Sequence, residues 1–382
     1  MNEKGLDEEE NEKMKGNMRS GELRLHMASK SLDNSNKIQF GKACHILESD
    51  SGVLDGKWYQ ATRSFDHSST FDVDDAIRSC CSPIYASACA SGRINVYKLL
   101  HSSDISDGGK NYRLNHVGSS STINDNNLIS SSKSDAICLS LDWDKSSSVD
   151  PVQTRIVSSY SDGQLAIHDI NLNASIDDSL IHEAQRWNAH TLFGHPSEVW
   201  TTCFATNAHY DTYQNTVISG GDDCKLKLWD LRSTSNPSHI LGKNEFEAGV
   251  TAVSYHPLLE HVFASGSYDE CLRIWDMRML SEGIPMSKFD DVGGGIWRTK
   301  WHPQEKNKML VAAMHGGCCI LDIQNLVNDE SSVDDNIGNI SVKKRFTAHE
   351  SMAYGADWIY CANQFDAASS CSFYDRKCFI WS

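Results

Sequence analysis

The chain has 382 residues, and 35 Lys+Arg against 51 Asp+Glu leave a formal net charge of −16. That balance argues against binding a phosphate backbone as the main task and suits a cationic partner or substrate. Apolar residues make up 40% of the chain, enough for a real core, so wholesale disorder is excluded.

No run of about 18 apolar residues occurs, so no transmembrane helix is expected. The opening Met1-Asn2-Glu3-Lys4, followed by Asp7-Glu8-Glu9-Glu10, has neither an apolar nor a basic targeting character. The expectation is a soluble, cytoplasmic protein without membrane or direct nucleic-acid contacts. The 13 cysteines are odd in number and contain no C-x-x-C. They read as small core hydrophobes in a reducing compartment, with no metal site.

In chain order, residues 1–21 read as an acidic disordered tail. Glu22-Leu23-Arg24-Leu25-His26 alternates polar and apolar and reads as a strand. A faint unit follows at 41–46, ending on Ile46. The next unit ends on Tyr97, with Ser91 six residues before it. The stretch 102–134 is rich in Ser, Asn and Asp and reads as a surface loop. Asp162 then precedes His168 by six, Asp223 precedes Trp229 by six, and Asp269 precedes Trp275 by six. A polar stretch at 205–215 reads as a loop. His315 and Leu321 fill the same frame, 324–342 is a second acidic and polar insertion, and Asp375 precedes Trp381 by six.

The anchors Ile46, Tyr97, His168, Trp229, Trp275, Leu321 and Trp381 are separated by 51, 71, 61, 46, 46 and 60 residues. A 46-residue unit of apolar strand, tight Gly/Asp turn and apolar strand ending in Trp-Asp is a WD repeat, which builds a four-stranded propeller blade. The chain therefore reads as all-β: one seven-bladed WD-repeat propeller over 22–382 with a degenerate first blade. The strand at 22–26 would supply the outer strand of the last blade. A polar tetrad is expected from His195, Ser219, Asp223 and Trp229. A second is expected from His349, Asp375 and Trp381, with Cys371 in the serine's place.

No G-x-S-x-G elbow, H-E-x-x-H, Walker loop or dinucleotide fingerprint is present. Propellers mostly bind other proteins, so chemistry has to be argued from a site. The strand-connecting turns and the starts of the inner strands meet on one face. There Trp200, Trp297, Arg298 and Tyr354, with Asp222, Glu270 and the turn Asps, would form an acidic, aromatic mouth suited to a cation. The turn residues Asp162, Asp223, Asp269 and Asp375 fit structural roles. His315 stands where the structural Asp is expected, which frees it for acid–base work. Trp229-Asp230-Leu231-Arg232 and Trp275-Asp276-Met277-Arg278 match the WDxR pattern of propellers that dock on cullin-4 ubiquitin ligases, or are simply surface arginines paired with acidic neighbours.

Several longer stretches carry a family resemblance. They are Gly294-Gly295-Ile296-Trp297-Arg298-Thr299-Lys300-Trp301-His302-Pro303, Ala313-Met314-His315-Gly316-Gly317 and Tyr354-Gly355-Ala356-Asp357-Trp358. Together they resemble the diphthine methylesterase family, the WD-repeat proteins of diphthamide biosynthesis, from about residue 41 onward. The resemblance implies hydrolysis of the methyl ester of methylated diphthine on elongation factor 2, a substrate group with a quaternary ammonium; separately, no cofactor is expected. Catalytic candidates inferred from position are His315 and His349 as base, with Arg298 or Tyr354 holding the oxyanion. The substrate-binding candidates are Trp200, Asp222, Tyr268, Glu270 and Trp297. The rival expectation is a non-catalytic scaffold or a cullin-4 substrate receptor.

Overall fold

A computed structural model describes residues 21–30, 38–49, 51–59, 83–102, 111–120, 136–146, 153–172, 180–242, 244–324, 326, 339–361 and 365–382. The expected acidic tail lies outside these residues, as does most of the two long insertions. The described chain is all-β apart from a 3₁₀ turn at Leu280–Glu282.

Among the described residues six radial sheets form, five of four strands and one of three. Their inner strands are Val53–Tyr59, Cys138–Trp143, Thr201–Phe204, Val250–Tyr255, Arg298–Trp301 and Ala353–Cys361, here the first strands of blades one to six. Six of the seven sequence anchors fall on third strands. Each lies opposite an apolar or aromatic residue of the second strand, as in Tyr97–Tyr85, His168–Ile156, Trp229–Val217, Trp275–Phe263, Leu321–Met309 and Trp381–Ala368.

The expected seventh, degenerate blade is not among the described sheets. Ile46 lies in the strand Ile38–Ser49, which pairs only with Gly21–Lys30. The strand expected to complete the last blade is thereby used elsewhere: Glu22 faces Glu48 and Leu23 faces Leu47. The physical reason is loop closure, which costs less for a short connection than for one spanning most of the chain. A second correction concerns the polar stretch 102–134. Its residues Asn111–Ser119 form the outer strand of blade one, with Tyr112 and Leu114 buried on alternate positions.

One rule joins neighbouring blades. In three blades an inner-strand tryptophan donates its indole N–H to a carbonyl of the preceding blade. Trp143 Nε1 donates to Lys57 O (2.9 Å), Trp301 Nε1 to Ser254 O (3.1 Å) and Trp358 Nε1 to Lys300 O (3.0 Å). Each such bond contributes on the order of 1 kcal/mol and fixes the stagger between blades. Around the axis the inner strands carry matched charges. Lys57 pairs with Asp142 (3.1 Å), Lys300 with Asp357 (3.1 Å), and Arg298 reaches Asp55 of blade one (3.6 Å). Burial opposes the Asp55 charge, but Arg298, Lys57 and Lys300 outweigh it and hold its carboxyl at about 2.

Two buried histidines outside the His190 tetrad contribute to the acid response. His168 replaces the blade tryptophan and accepts or donates at Nε2 with Ser158 Oγ (2.9 Å). His256 accepts at Nδ1 from the Leu258 and Leu259 amides (both 3.0 Å) and donates from Nε2 to Lys306 O (2.9 Å). Burial pushes both down to about 4. Below about pH 6.5 the unfolded chain takes up these protons while the folded one does not. Stability should therefore fall as pH drops from 6.5 towards 4, by about 2 kcal/mol per histidine at pH 5. Urea midpoints at pH 7 and pH 5 check this. A His256→Asn variant should show a shallower pH slope, and an unchanged slope would contradict the assignment.

Candidate functional site

The tetrads define the face that bears the site. In blade three, Trp229 Nε1 donates to Ser219 Oγ (2.9 Å). Ser219 Oγ lies 2.8 Å from His190 Nε2, and His190 Nδ1 lies 2.7 Å from Asp223 Oδ1. The tetrad histidine is thus His190, not His195, which is exposed in the short hairpin Thr191–Leu192 and His195–Pro196. In blade six, Trp381 Nε1 donates to Ser370 Oγ (3.1 Å), and His349 bridges Ser370 (2.9 Å) and Asp375 (3.0 Å). The serine's place is filled by Ser370, not Cys371. The cause is a turn one residue longer than that of blade three (375 − 370 = 5 against 223 − 219 = 4). Blade four keeps Trp275 on Ser265 (2.8 Å), but buried Arg273 holds Asp269 (2.7 Å) where a histidine would.

These contacts remove several candidates from the open mouth. Asp223 and Asp269 are structural, as expected. His349 is buried with both ring nitrogens engaged, so neither is left for a substrate. The acidity of the mouth is accordingly smaller than the sequence suggests and comes from Asp222 and Glu270, both exposed.

The aromatic candidates do come together. Trp297 is the hub: its ring lies 5.6 Å from Trp200, 6.0 Å from Tyr268 and 5.3 Å from Tyr354. The row continues from Tyr354 to Tyr374 at 6.2 Å, a member that sequence reasoning missed. Trp200 Nε1 donates to Asp222 Oδ1 (3.1 Å), which places a carboxylate at one end of the row. The local reason is positional. Trp200, Trp297 and Tyr354 each sit at the entry to an inner strand, whereas Asp222, Tyr268 and Tyr374 each immediately precede a turn Asp. The second rule was available in the sequence and would have found Tyr374.

Glycines let the loops close on this row. A Cβ at Gly295 would stand 3.2 Å from Tyr268 Cδ1 and 3.4 Å from Met314 Sδ. A Cβ at Gly294 would meet Ala313 O at 2.5 Å, and one at Gly316 would meet Gly293 C at 2.6 Å. Blade five thus replaces the His–Asp contact by direct backbone packing of the Gly293-Gly294-Gly295 loop on the Met314–Gly317 turn. That packing frees His315, which is exposed with no side-chain partner among the described residues. Its turn is tied to the aromatic row through Met314 O, which accepts from Ala353 N (3.0 Å), one residue before Tyr354.

The two oxyanion candidates differ. Arg298 turns toward the axis: it pairs with Asp55, donates from Nη1 to Trp297 O (3.2 Å), and its guanidinium carbon lies 5.8 Å from the Trp297 ring centre. Tyr354 donates to Met352 Sδ (3.4 Å), a weak acceptor, and also lies in hydrogen-bonding contact with the Tyr374 hydroxyl. Burial raises its pKa, so the hydroxyl keeps its proton. Among the described residues no group of three His, Cys, Asp or Glu is placed to hold a metal ion, and no helix is long and apolar enough to cross a membrane. The two WDxR arginines fold back on their own repeats, Arg232 on Asp230 (2.6 Å) and Arg278 on Asp276 (2.5 Å).

Residues 187–230 and 236–276 match the family model "WD domain, G-beta repeat". The chain is 33% identical over 258 residues to a Dictyostelium discoideum protein named "Diphthine methyltransferase homolog", covering 65% of this chain and 63% of that protein. It is 33% identical over 241 residues to the "Diphthine methyltransferase" of Mus musculus, covering 61% and 44%. The Schizosaccharomyces pombe protein of the same name is 29% identical over 254 residues, covering 65% and 64%. The chain thus spans less than two thirds of the length of these relatives. A chain of "Crystal Structure of Mitotic Checkpoint Complex" superposes with a TM-score of 0.53 at 14% identity over 96% of this chain and 86% of that one, which bears on the fold alone. The resemblance read from the loop motifs is borne out.

Proposed function

We propose that this chain, a relative of the WD-repeat proteins named for diphthine, acts in diphthamide biosynthesis as a methyl ester hydrolase on the methylated diphthine of elongation factor 2. The observation that carries this reading is the aromatic row ending on Asp222, with an unpartnered imidazole on the adjoining turn. Trp200, Tyr268 and Trp297 present ring faces to a quaternary ammonium, and the Asp222 and Glu270 carboxylates supply the opposite charge. A trimethylated nitrogen has no N–H to donate, so rings and a nearby carboxylate recognise it better than hydrogen-bond acceptors do.

The reaction consumes water. His315 takes a proton from a water molecule as its oxygen attacks the ester carbonyl carbon. The carbonyl oxygen becomes an oxyanion, which the Tyr354 hydroxyl meets as donor by turning from the Met352 sulfur. The C–O bond to methoxide then breaks, His315 returns the proton, methanol leaves, and the carboxylic acid retained on the protein gives its remaining proton to solvent as it becomes the carboxylate. Arg298 supports this from below Trp297, as a positive charge held by Asp55. His349 acts only through the blade-six tetrad. Elongation factor 2 is the partner, no cofactor is consumed, and the setting is the cytoplasm.

The relatives' printed name denotes methyl transfer, whereas this reading is hydrolysis. Methanol release separates the two. The His315→Ala variant should release methanol from the methylated protein about 10²–10⁴-fold more slowly than wild type while keeping its melting temperature. Equal rates would remove His315 from the mechanism. The scaffold reading has one feature in its favour, the paired WDxR motifs. It predicts tight binding of a ligase adaptor that is lost when Arg232 and Arg278 are both changed to Ala.

A further inference from the structure

Two departures from the regular repeat lie on the same face as the aromatic row, and each exposes an aromatic side chain. The first is the hairpin that displaces His190 from its strand. From the tetrad histidine to the equivalent inner-strand position is 11 residues in blade three (201 − 190) but six in blade six (355 − 349). The five extra residues carry Phe193 at the tip, 88% exposed. Its φ of 51° is a conformation that a bulky side chain adopts at a cost, and the following Gly194 has φ 83°. The hairpin base is closed by Ser197 N donating to His190 O (3.2 Å), so the tip is held out from a fixed, buried tetrad.

The second departure is the lengthened turn of blade six. Its extra residue pushes Phe373 and Tyr374 outward, 68% and 60% exposed and 5.2 Å apart, with Tyr374 joined to Tyr354 of the site. Between the two projections the rim is acidic. Glu198, Asp222, Glu247 and Glu270 stand on neighbouring loops, and among the described residues none is in an ion pair, unlike Asp223 and Asp269 beside them.

Resting on the proposed function, we infer that the Phe193 hairpin and the Phe373–Tyr374 turn are the two grips of a docking rim for a basic protein surface surrounding the modified side chain. Exposed aromatic anchors flanking the site fit the composition of protein interface centres. The unpaired carboxylates complement a positively charged partner and steer its approach. The mouth then serves the cationic side chain and the rim serves the folded protein that carries it. This makes the protein context, and not the ester alone, the determinant of specificity.

The test uses the full chain with two substrates: the methylated protein, and the free methyl ester of a trimethylammonio carboxylic acid. A Phe193→Ala/Phe373→Ala double variant should raise KM for the protein at least about tenfold with kcat kept, and leave turnover of the free ester unchanged. Binding of the protein, measured directly, should weaken with added salt in the wild type. An unchanged KM for the protein would overturn the rim. So would equal losses on both substrates, which would put these rings in the mouth. If the wild type hydrolyses neither ester, yet binds the protein in a salt-sensitive way that the double variant loses, the rim stands and hydrolysis falls.

Discussion

Replacing Trp297 by Ala is expected to lower kcat/KM for the methylated protein by about 100-fold, with most of the loss in KM. The ring touches three other aromatic rings, so its removal takes away one face of the cation site and releases Trp200, Tyr268 and Tyr354 from their fixed orientation. A desolvated cation–π contact contributes ~2 kcal/mol, and each aromatic pair ~1 kcal/mol of ordering. A loss of binding common to ground state and transition state raises KM more than it lowers kcat. The side chain is only half-buried at the mouth, so the fold should survive. Trp297→Phe should recover part of the loss, because a smaller ring still presents a face. Steady-state kinetics on both variants, with circular dichroism as the fold control, checks this. Wild-type kinetics in Trp297→Ala would remove the aromatic row from substrate binding.

The largest stability effect should come from the blade-three tetrad. His190 and Asp223 are both fully buried, 2.7 Å apart. Burial lowers the His190 pKa and so favours the neutral ring, while His190, Lys227 and Lys225 hold Asp223 ionised against its own desolvation. The donors then run one way: Trp229 to Ser219, Ser219 to His190 Nε2, His190 Nδ1 to Asp223. Removing His190 takes away the shortest hydrogen bond of a buried carboxylate and leaves only Lys227 (3.6 Å) and Lys225 (4.0 Å) beside it, at a cost of about 3 kcal/mol. His195→Ala, on the exposed hairpin, should change stability by less than about 0.5 kcal/mol. Urea unfolding of the two variants separates them. A large effect at His195 with none at His190 would contradict the assigned tetrad.

That pair of variants also marks where sequence reading succeeded and where it stopped. The Asp-to-Trp spacing is a property of the tight turn and third strand, which insertions do not touch, so Asp223–Trp229, Asp269–Trp275 and Asp375–Trp381 were all legible. The His-to-strand distance is not so protected. Five inserted residues made His195, next to Gly194, the more regular choice, although His190 fills the place. One inserted residue likewise moved the serine position from 371 to 370. The outer strand at Asn111–Ser119 hid inside a polar run because only its alternate residues are buried. The N-terminal strand was read correctly as a strand, but its partner was not, since alternation fixes a face and not a neighbour. The aromatic mouth was legible because inner-strand entries and turns converge by geometry. His349 was placed correctly in its tetrad, but the sequence did not show that Ser370 and Asp375 engage both ring nitrogens and leave neither for the mouth.

The chemistry proposed for this protein is hydrolysis at an acidic, aromatic mouth. Its most direct test is mass spectrometry of methylated elongation factor 2 incubated with this protein in ¹⁸O-labelled water. Hydrolysis predicts loss of one ester methyl as methanol, with a single ¹⁸O in the new carboxylate. A substrate that gains a methyl group, or one that leaves the incubation unchanged, would contradict it.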